Sequence, residues 1–464
     1  MFRRFLSFRT RHQPYMVRNS YRHELRSALT FPLAGSLAEG SFTGVIAAKN
    51  FEASVVLMSL ITAAPMFGNI MALIWSDLSM GRRKVPLVNA LQGGVVLMVA
   101  SVALTALVPS PTLAGWVFAG QIIIARLLAS GIITIRSSIW RANYPRQLRG
   151  QLTSRIATVA TFVLAVTTFS GSYLLDYNPR AYIYLYPGAA LIGAIGIWQF
   201  SKIRVRREVA LRRQEVQLYA PRPESMSQTD EANVLNYESH PRFIKLFAQA
   251  FAILREDRPF RDYQRWQFFN GAAFMMIGPS LLYMVSREMT DPSRQYLLAT
   301  MVVQIIPMVI VLLSTQAWAP LFDRLHISTF RMYQGFVSVS AIVLLWVGAM
   351  IGLRDVMTGL GVVAFAQVLV GVSNGAGNLA WNLGHNDFCP ADKAGTYMGV
   401  HVMLTGLRGC LAPFFGSWLY LLPGVGRHVF AVAAIVCVVA TIGFWRMARH
   451  APRKGHRRSP VAGP

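Results

Sequence analysis

Twelve apolar runs punctuate the chain, at about 28–48, 53–76, 85–108, 113–139, 155–175, 181–200, 265–286, 295–317, 329–351, 358–383, 396–421 and 427–446. A helix rises about 1.5 Å per residue, so about 20 residues cross the roughly 30 Å of bilayer hydrocarbon. Lipid offers the backbone no hydrogen bonds, so runs of this kind must be helical. Only 14% of the residues are charged, against about 25% in soluble proteins. One long polar stretch, 201–264, with "YAPRPESMSQTDEAN" in its middle, separates the sixth run from the seventh. The pattern predicts an all-α membrane protein of twelve transmembrane helices in two six-helix halves. The expected units are a basic tail (1–27), an N-terminal half (28–200), a linker (201–264), a C-terminal half (265–446) and a second basic tail (447–464).

The net charge of +25 sits in the gaps between the apolar runs. No basic–aromatic surface pattern stands apart from them, so no nucleic-acid partner is expected. Placing both termini in the cytoplasm puts 36 of the 45 Lys and Arg on that side and six on the other, as the positive-inside rule requires. The expectation is an integral protein of a bacterial inner membrane. The opening segment, "MFRRFLSFRTRHQPYMVRNSYRHELR", shares its Arg- and Ser-rich composition with transit peptides, although a cytoplasmic tail explains it as well. Three cysteines without paired spacing indicate neither a disulfide framework nor a zinc cluster. With no phosphate-cradling Gly-rich loop, no Ser/His/Asp set and no paired carboxylates, neither an enzyme nor a cofactor is expected. The oligomeric state is left open.

The halves repeat at an offset near 245. "PRQLRG" at Pro145–Gly150 matches "PADKAG" at Pro390–Gly395, and "FSGSY" at 169–173 matches "FFGSW" at 414–418. Asp77 and Asp323 repeat at 246, Pro32 and Pro279 at 247. A duplicated unit places the site between the halves near the bilayer midplane.

The loop after the second run reads "WSDLSMGRRK", with Asp77, Gly81, Arg82, Arg83 and Lys84. Its counterpart, "APLFDRLHISTFR", keeps Asp323 and Arg324 but has His326 at the Gly position. In these paired loops and in its duplicated plan the chain resembles the major facilitator superfamily. The first copy departs from the family pattern by one extra residue before Gly81 and by Leu78 where Arg is usual. The resemblance implies a secondary transporter working by alternating access. An Asp at a span's end accepts charge-assisted hydrogen bonds from Arg, worth about 1.5–3 kcal/mol each when desolvated. Asp77 would thus form a cytoplasmic gate, with Arg136 and Arg141 as candidate partners; the alternative is that these charges only fix topology.

Glu39, Arg126 and Arg408 lie inside the first, fourth and eleventh runs. Intramembrane charges are costly and usually face the bundle interior. The resemblance implies that the first and fourth spans line the cavity, so Glu39 can face Arg126, although the family's Arg-x-x-x-Gly spacing is stretched here to Arg126…Gly131. Desolvation favours the neutral form of a carboxyl and a nearby Arg the ionised form, so such a pair can couple protons to cavity opening. The alternative is a permanent ion pair.

Asn374, Asn378 and Asn382, with Trp381 alongside, share one helical face, as do His401, Thr405 and Arg408. Both stripes are candidate solute contacts, or else interhelical hydrogen bonds. Three intramembrane arginines, Arg126, Arg136 and Arg408, against one Glu favour an anionic or zwitterionic organic solute, moved with protons. Two other readings stand beside this one. "HNDFC" offers His385, Asp387 and Cys389, with His401, as weak ligands for a metal or metal-chelate carrier. A non-transporting receptor or assembly partner would act through the linker and tails.

Overall fold

The computed structural model describes residues 15–217, 251–389 and 394–450. Among the described residues all regular structure is helical.

The first crossing comes in two pieces, α1 (Tyr15–Leu37) and α2 (Gly40–Asn50), interrupted at Ala38 and Glu39. Helix α1 begins well before the apolar run, so part of the segment expected as a tail is helical. The N-terminal half continues with α3 (Val55–Ser79), α4 (Lys84–Ser101), α5 (Pro111–Asn143), α6 (Arg146–Tyr177) and α7 (Tyr182–Phe200). A short helix of the linker follows, α8 (Glu208–Gln217). The C-terminal half opens with α9 (Arg258–Tyr283), which runs into a π-helical turn at Met284–Glu288. Its eighth crossing combines α10 (Tyr296–Thr300), a π turn at Met301–Ile305 and α11 (Ile306–Arg324). Helices α12 (Ile327–Ile351), α13 (Val356–Leu383), α14 (Ala394–Leu421) and α15 (Val429–Arg449) complete it. Among the described residues, eleven segments are long and apolar enough to span a bilayer; the first crossing, the broken α1/α2 pair, is not among them because its first half is polar.

Side-chain caps start several helices: Ser54, Ser110, Asp257 and Asp355 each accept a backbone N–H from the first turn of α3, α5, α9 and α13. Such caps satisfy donors that lipid cannot.

The duplication seen in the sequence is a duplication of packing. Helix α1 lies against α6 and α7, as α9 lies against α14 and α15; α3 and α4 flank α5, as α11 and α12 flank α13. The Trp75 indole N–H donates to the Leu127 carbonyl at 2.9 Å, and that of Trp318 to the Val372 carbonyl at 3.0 Å. Glycine serves the same contact twice. A Cβ at Gly196 of α7 would meet Phe31 of α1 at 2.6 Å from its backbone N, and one at Gly443 of α15 would enter the Trp266 ring of α9. Small residues permit such close helix approach without any hydrophobic drive from the lipid.

One hydrophobic core runs through both halves. Toward the end that carries the termini, two smaller cores each belong to a single half, one around Tyr21, Tyr144 and Ile156, the other around Phe260, Tyr263 and Phe330. The halves therefore share packing toward one end and part toward the other.

Candidate functional site

The break in the first crossing positions the site. Glu39 is extended (φ −133°, ψ 151°) and Gly40 takes φ +74°, a left-handed conformation that glycine adopts without strain. The α2 N-terminus is thus exposed at mid-membrane, and Gln304 from the eighth crossing caps it, accepting the Phe42 N–H at 2.6 Å. Gln304 stands in the π turn at Met301–Ile305, a distortion often found at functional sites.

Beside this break, Arg126 Nη1 of α5 lies 3.0 Å from Glu39 Oε2. The structure brings together the two residues that the sequence pointed to. The Glu39 side chain is 48% exposed and that of Arg126 only 13%. Arg126 Nε is buried without a hydrogen-bond partner. The carboxylate is therefore presented to solvent while the guanidinium is held by the protein.

From this level to the end opposite the termini, the halves are stitched. Lys49 Nζ, buried at the end of α2, donates to Thr290 Oγ1 (2.9 Å), the Asp291 carbonyl (2.5 Å) and the Arg294 carbonyl (2.8 Å). Asp176 of α6 accepts the backbone N–H groups of Tyr296 and Leu297. Ser172 meets Thr300 at 2.8 Å, and Ser59 meets Ser417 at 2.5 Å. Among the described residues, no hydrogen bond crosses between the halves at the termini end. The Asn374, Asn378 and Asn382 face of α13 is exposed, with Asn382 donating to the Asn378 carbonyl.

The loop of the expected gate is held by the linker helix. Gly81 takes φ +65°, which accounts for glycine there, whereas His326, at the equivalent place, is extended (φ −62°, ψ 146°) and caps α12. The Gly81 N–H donates to Glu215 Oε2 of α8, its carbonyl accepts Arg212 Nε, and Lys84 Nζ lies 2.8 Å from Glu215 Oε2. Arg82, Asp77, Arg141, Asp323 and Arg324 are exposed. Arg136, expected as a partner for Asp77, pairs with Glu24 of α1 at 2.6 Å. Glu24 is 1% exposed and also accepts from Trp140 Nε1 and Tyr144 Oη. It went unnoticed in the sequence because it precedes the first apolar run.

The second stripe is buried. Arg408 Nη1 donates to the Gln267 carbonyl at 2.6 Å, and its guanidinium fills the space that Gly271 of α9 leaves open. His401 pairs with Gln264 at 3.1 Å, and Thr405 accepts the Trp381 indole N–H at 3.4 Å. Arg331, counted from sequence among the loop charges, is 3% exposed inside this group. Asp387 caps α12 through the Ile327 N–H, His385 and Cys389 are buried, and the described residues contain no group of three His, Cys, Asp or Glu that could hold a metal ion.

Two pseudo-symmetric six-helix halves, joined at one end, parted at the other and framing a broken first crossing, define a secondary transporter of the alternating-access type. The Major Facilitator Superfamily profile matches residues 29–413, and the chain belongs to that family. Sequence comparison with curated proteins gives no match. Solved structures share the fold at low identity. A POT family transporter in complex with 5-aminolevulinic acid is 12% identical with a TM-score of 0.63, over 94% of this chain and 96% of that one. The xylose transporter XylE from E. coli, inward open, gives 12% and 0.62 over 94% and 97%. The nucleoside transporter NupG gives 13% and 0.61 over 94% and 99%.

Proposed function

We propose that this chain moves a small organic anion or zwitterion across a bacterial inner membrane, coupled to protons, with both termini in the cytoplasm. The observation that carries the reading is the Glu39–Arg126 pair, set at the break in the first crossing where the shared core gives way to the parted halves. A half-exposed carboxylate beside a buried guanidinium has two protonation states of different charge. When the halves close over the termini end, desolvation favours the neutral carboxyl, and when they part, water and the guanidinium favour the ionised one. Proton uptake and release then follow the conformational cycle. Protonation of Glu39 also frees Arg126 to grip a solute anion, so solute and proton enter together.

The charge census along the chain supports the cytoplasmic assignment of the parted end. Among proteins with this fold are a D-xylose-proton symporter and a POT family transporter solved with 5-aminolevulinic acid, a small amino acid. The test is proton movement in proteoliposomes challenged with a panel of organic anions, zwitterions and cations. The reading expects flux with anions or zwitterions that is lost in Glu39→Gln. Flux with cations alone, or flux unchanged in the variant, would refute it.

A further inference from the structure

Buried cations in this protein have acceptors. Arg136 has Glu24, Lys84 has Glu215, and Lys49 has a hydroxyl and two carbonyls. One group departs from that pattern. Between α9, α12 and α14 lie Arg331, His401 and Arg408, respectively 3%, 1% and 6% exposed. The three helices that carry or face them share one core, around Tyr263 of α9, Phe330 of α12 and Val400 of α14.

Hydrogen bonds satisfy only part of the group. Arg331 Nη1 donates to Gln334 Oε1 at 2.7 Å, while its Nε and Nη2 have no partner. Arg408 Nε, His401 Nε2 and the Gln264 side-chain nitrogen are likewise unpartnered. Among the described residues no carboxylate forms a salt bridge with either arginine.

Burying two guanidinium groups without a counter-charge is strongly unfavourable, and buried polar atoms are almost always satisfied. The free atoms also have a shape. Nε and Nη2 form one edge of the guanidinium, two parallel donors that fit a carboxylate or phosphate in bidentate fashion. Arg408 Nε adds a donor from α14.

We infer that Arg331 and Arg408 form a binding site for the oxyanion group of a small anion, inside the C-terminal half and distinct from the Glu39–Arg126 pair. Arg331 grips two oxygens and Arg408 supplies the second positive charge. The anion's source is either the carboxylate of the transported solute, in which case the inference rests on the transport reading, or a free inorganic anion that completes the half.

The test is thermal unfolding of the full chain, purified in detergent in a buffer poor in small anions and titrated with sodium acetate or sodium phosphate. Sodium chloride at matched ionic strength is the control. Saturable stabilisation beyond the chloride control is expected. Acetate acting in preference to phosphate assigns the site to a solute carboxylate, and phosphate acting in preference assigns it to a free anion. Arg331→Lys keeps the charge but loses the paired edge, and should raise the half-saturating concentration at least about tenfold. Arg408→Gln should do the same. Two outcomes overturn the inference: no stabilisation beyond chloride, or an anion response unchanged in Arg331→Lys. Arg331→Gln adds a check, since an anion-independent rise in its unfolding temperature would mean that the arginine is merely an unpaired charge. The assay needs no flux, so failure of the transport reading leaves its outcome interpretable.

Discussion

Arg126 Nη1 and Glu39 Oε2 stand 3.0 Å apart at the point where the first crossing loses its helix. If Glu39 is the proton carrier, Glu39→Gln keeps the side-chain shape and removes the titration. Proton-driven accumulation of solute should fall at least about tenfold, while exchange of labelled for unlabelled solute across the same liposomes persists, because exchange needs no net proton movement. Counterflow measured beside uptake separates the two.

Lys49 clasps the halves at the end opposite the termini through three hydrogen bonds. A hydrogen bond to a charged group contributes about 1.5–3 kcal/mol, so losing even one net bond shifts the opening equilibrium by about 10- to 150-fold. Ser172 and Thr300 lie behind the clasp, bonded to each other at 2.8 Å. A cysteine at Ser172 should react slowly with an impermeant maleimide in the otherwise native chain. Adding Lys49→Ala should speed labelling at least about tenfold, and equal rates would remove the clasp from the gating account.

Apolar run length revealed the helices, and the 245-residue offset revealed the pairing of the halves. The Glu39–Arg126 contact was legible too, through the resemblance, which implies that the first and fourth spans line one cavity. What escaped lay at run ends. Glu24 and Lys49 lie in helical extensions just outside the first run, and Arg331 is only the third residue of the ninth, yet they are 1%, 6% and 3% exposed. Gln304 had a signal, as a lone amide in the apolar stretch 296–313. Its task of capping a helix that starts at mid-membrane presupposes the break at Glu39, which run length treats as continuous helix.

Glu24 holds α1 to α5 through Arg136, Trp140 and Tyr144, beneath the small core that belongs to the N-terminal half. Glu24→Ala strands Arg136 and leaves the Trp140 indole and Tyr144 hydroxyl without this acceptor. Breaking a buried ion pair from one side typically destabilises by about 3–5 kcal/mol. Thermal unfolding in detergent should show a large drop for Glu24→Ala. Glu24→Gln, which keeps an acceptor for the two neutral donors, should recover part of it. Equal losses would mean that the ion pair alone carries the contribution.

Gly40 and Gln304 meet across the two halves where the α2 N-terminus begins. The residue sits at φ +74°, and a Cβ there would come 2.8 Å from Gln304 Oε1, the atom that accepts the Phe42 N–H. Gly40→Ala therefore meets two penalties: about 1–2 kcal/mol for an L-residue in the left-handed region, and displacement of the amide that caps α2. Gln304→Ala removes the cap without the backbone strain. Both variants should lose transport, because the helix start beside Glu39 is no longer held, and Gly40→Ala should also unfold at the lower temperature. The two measurements made on both proteins separate strain from capping. Normal transport in Gln304→Ala would mean that the α2 N-terminus needs no partner from the other half.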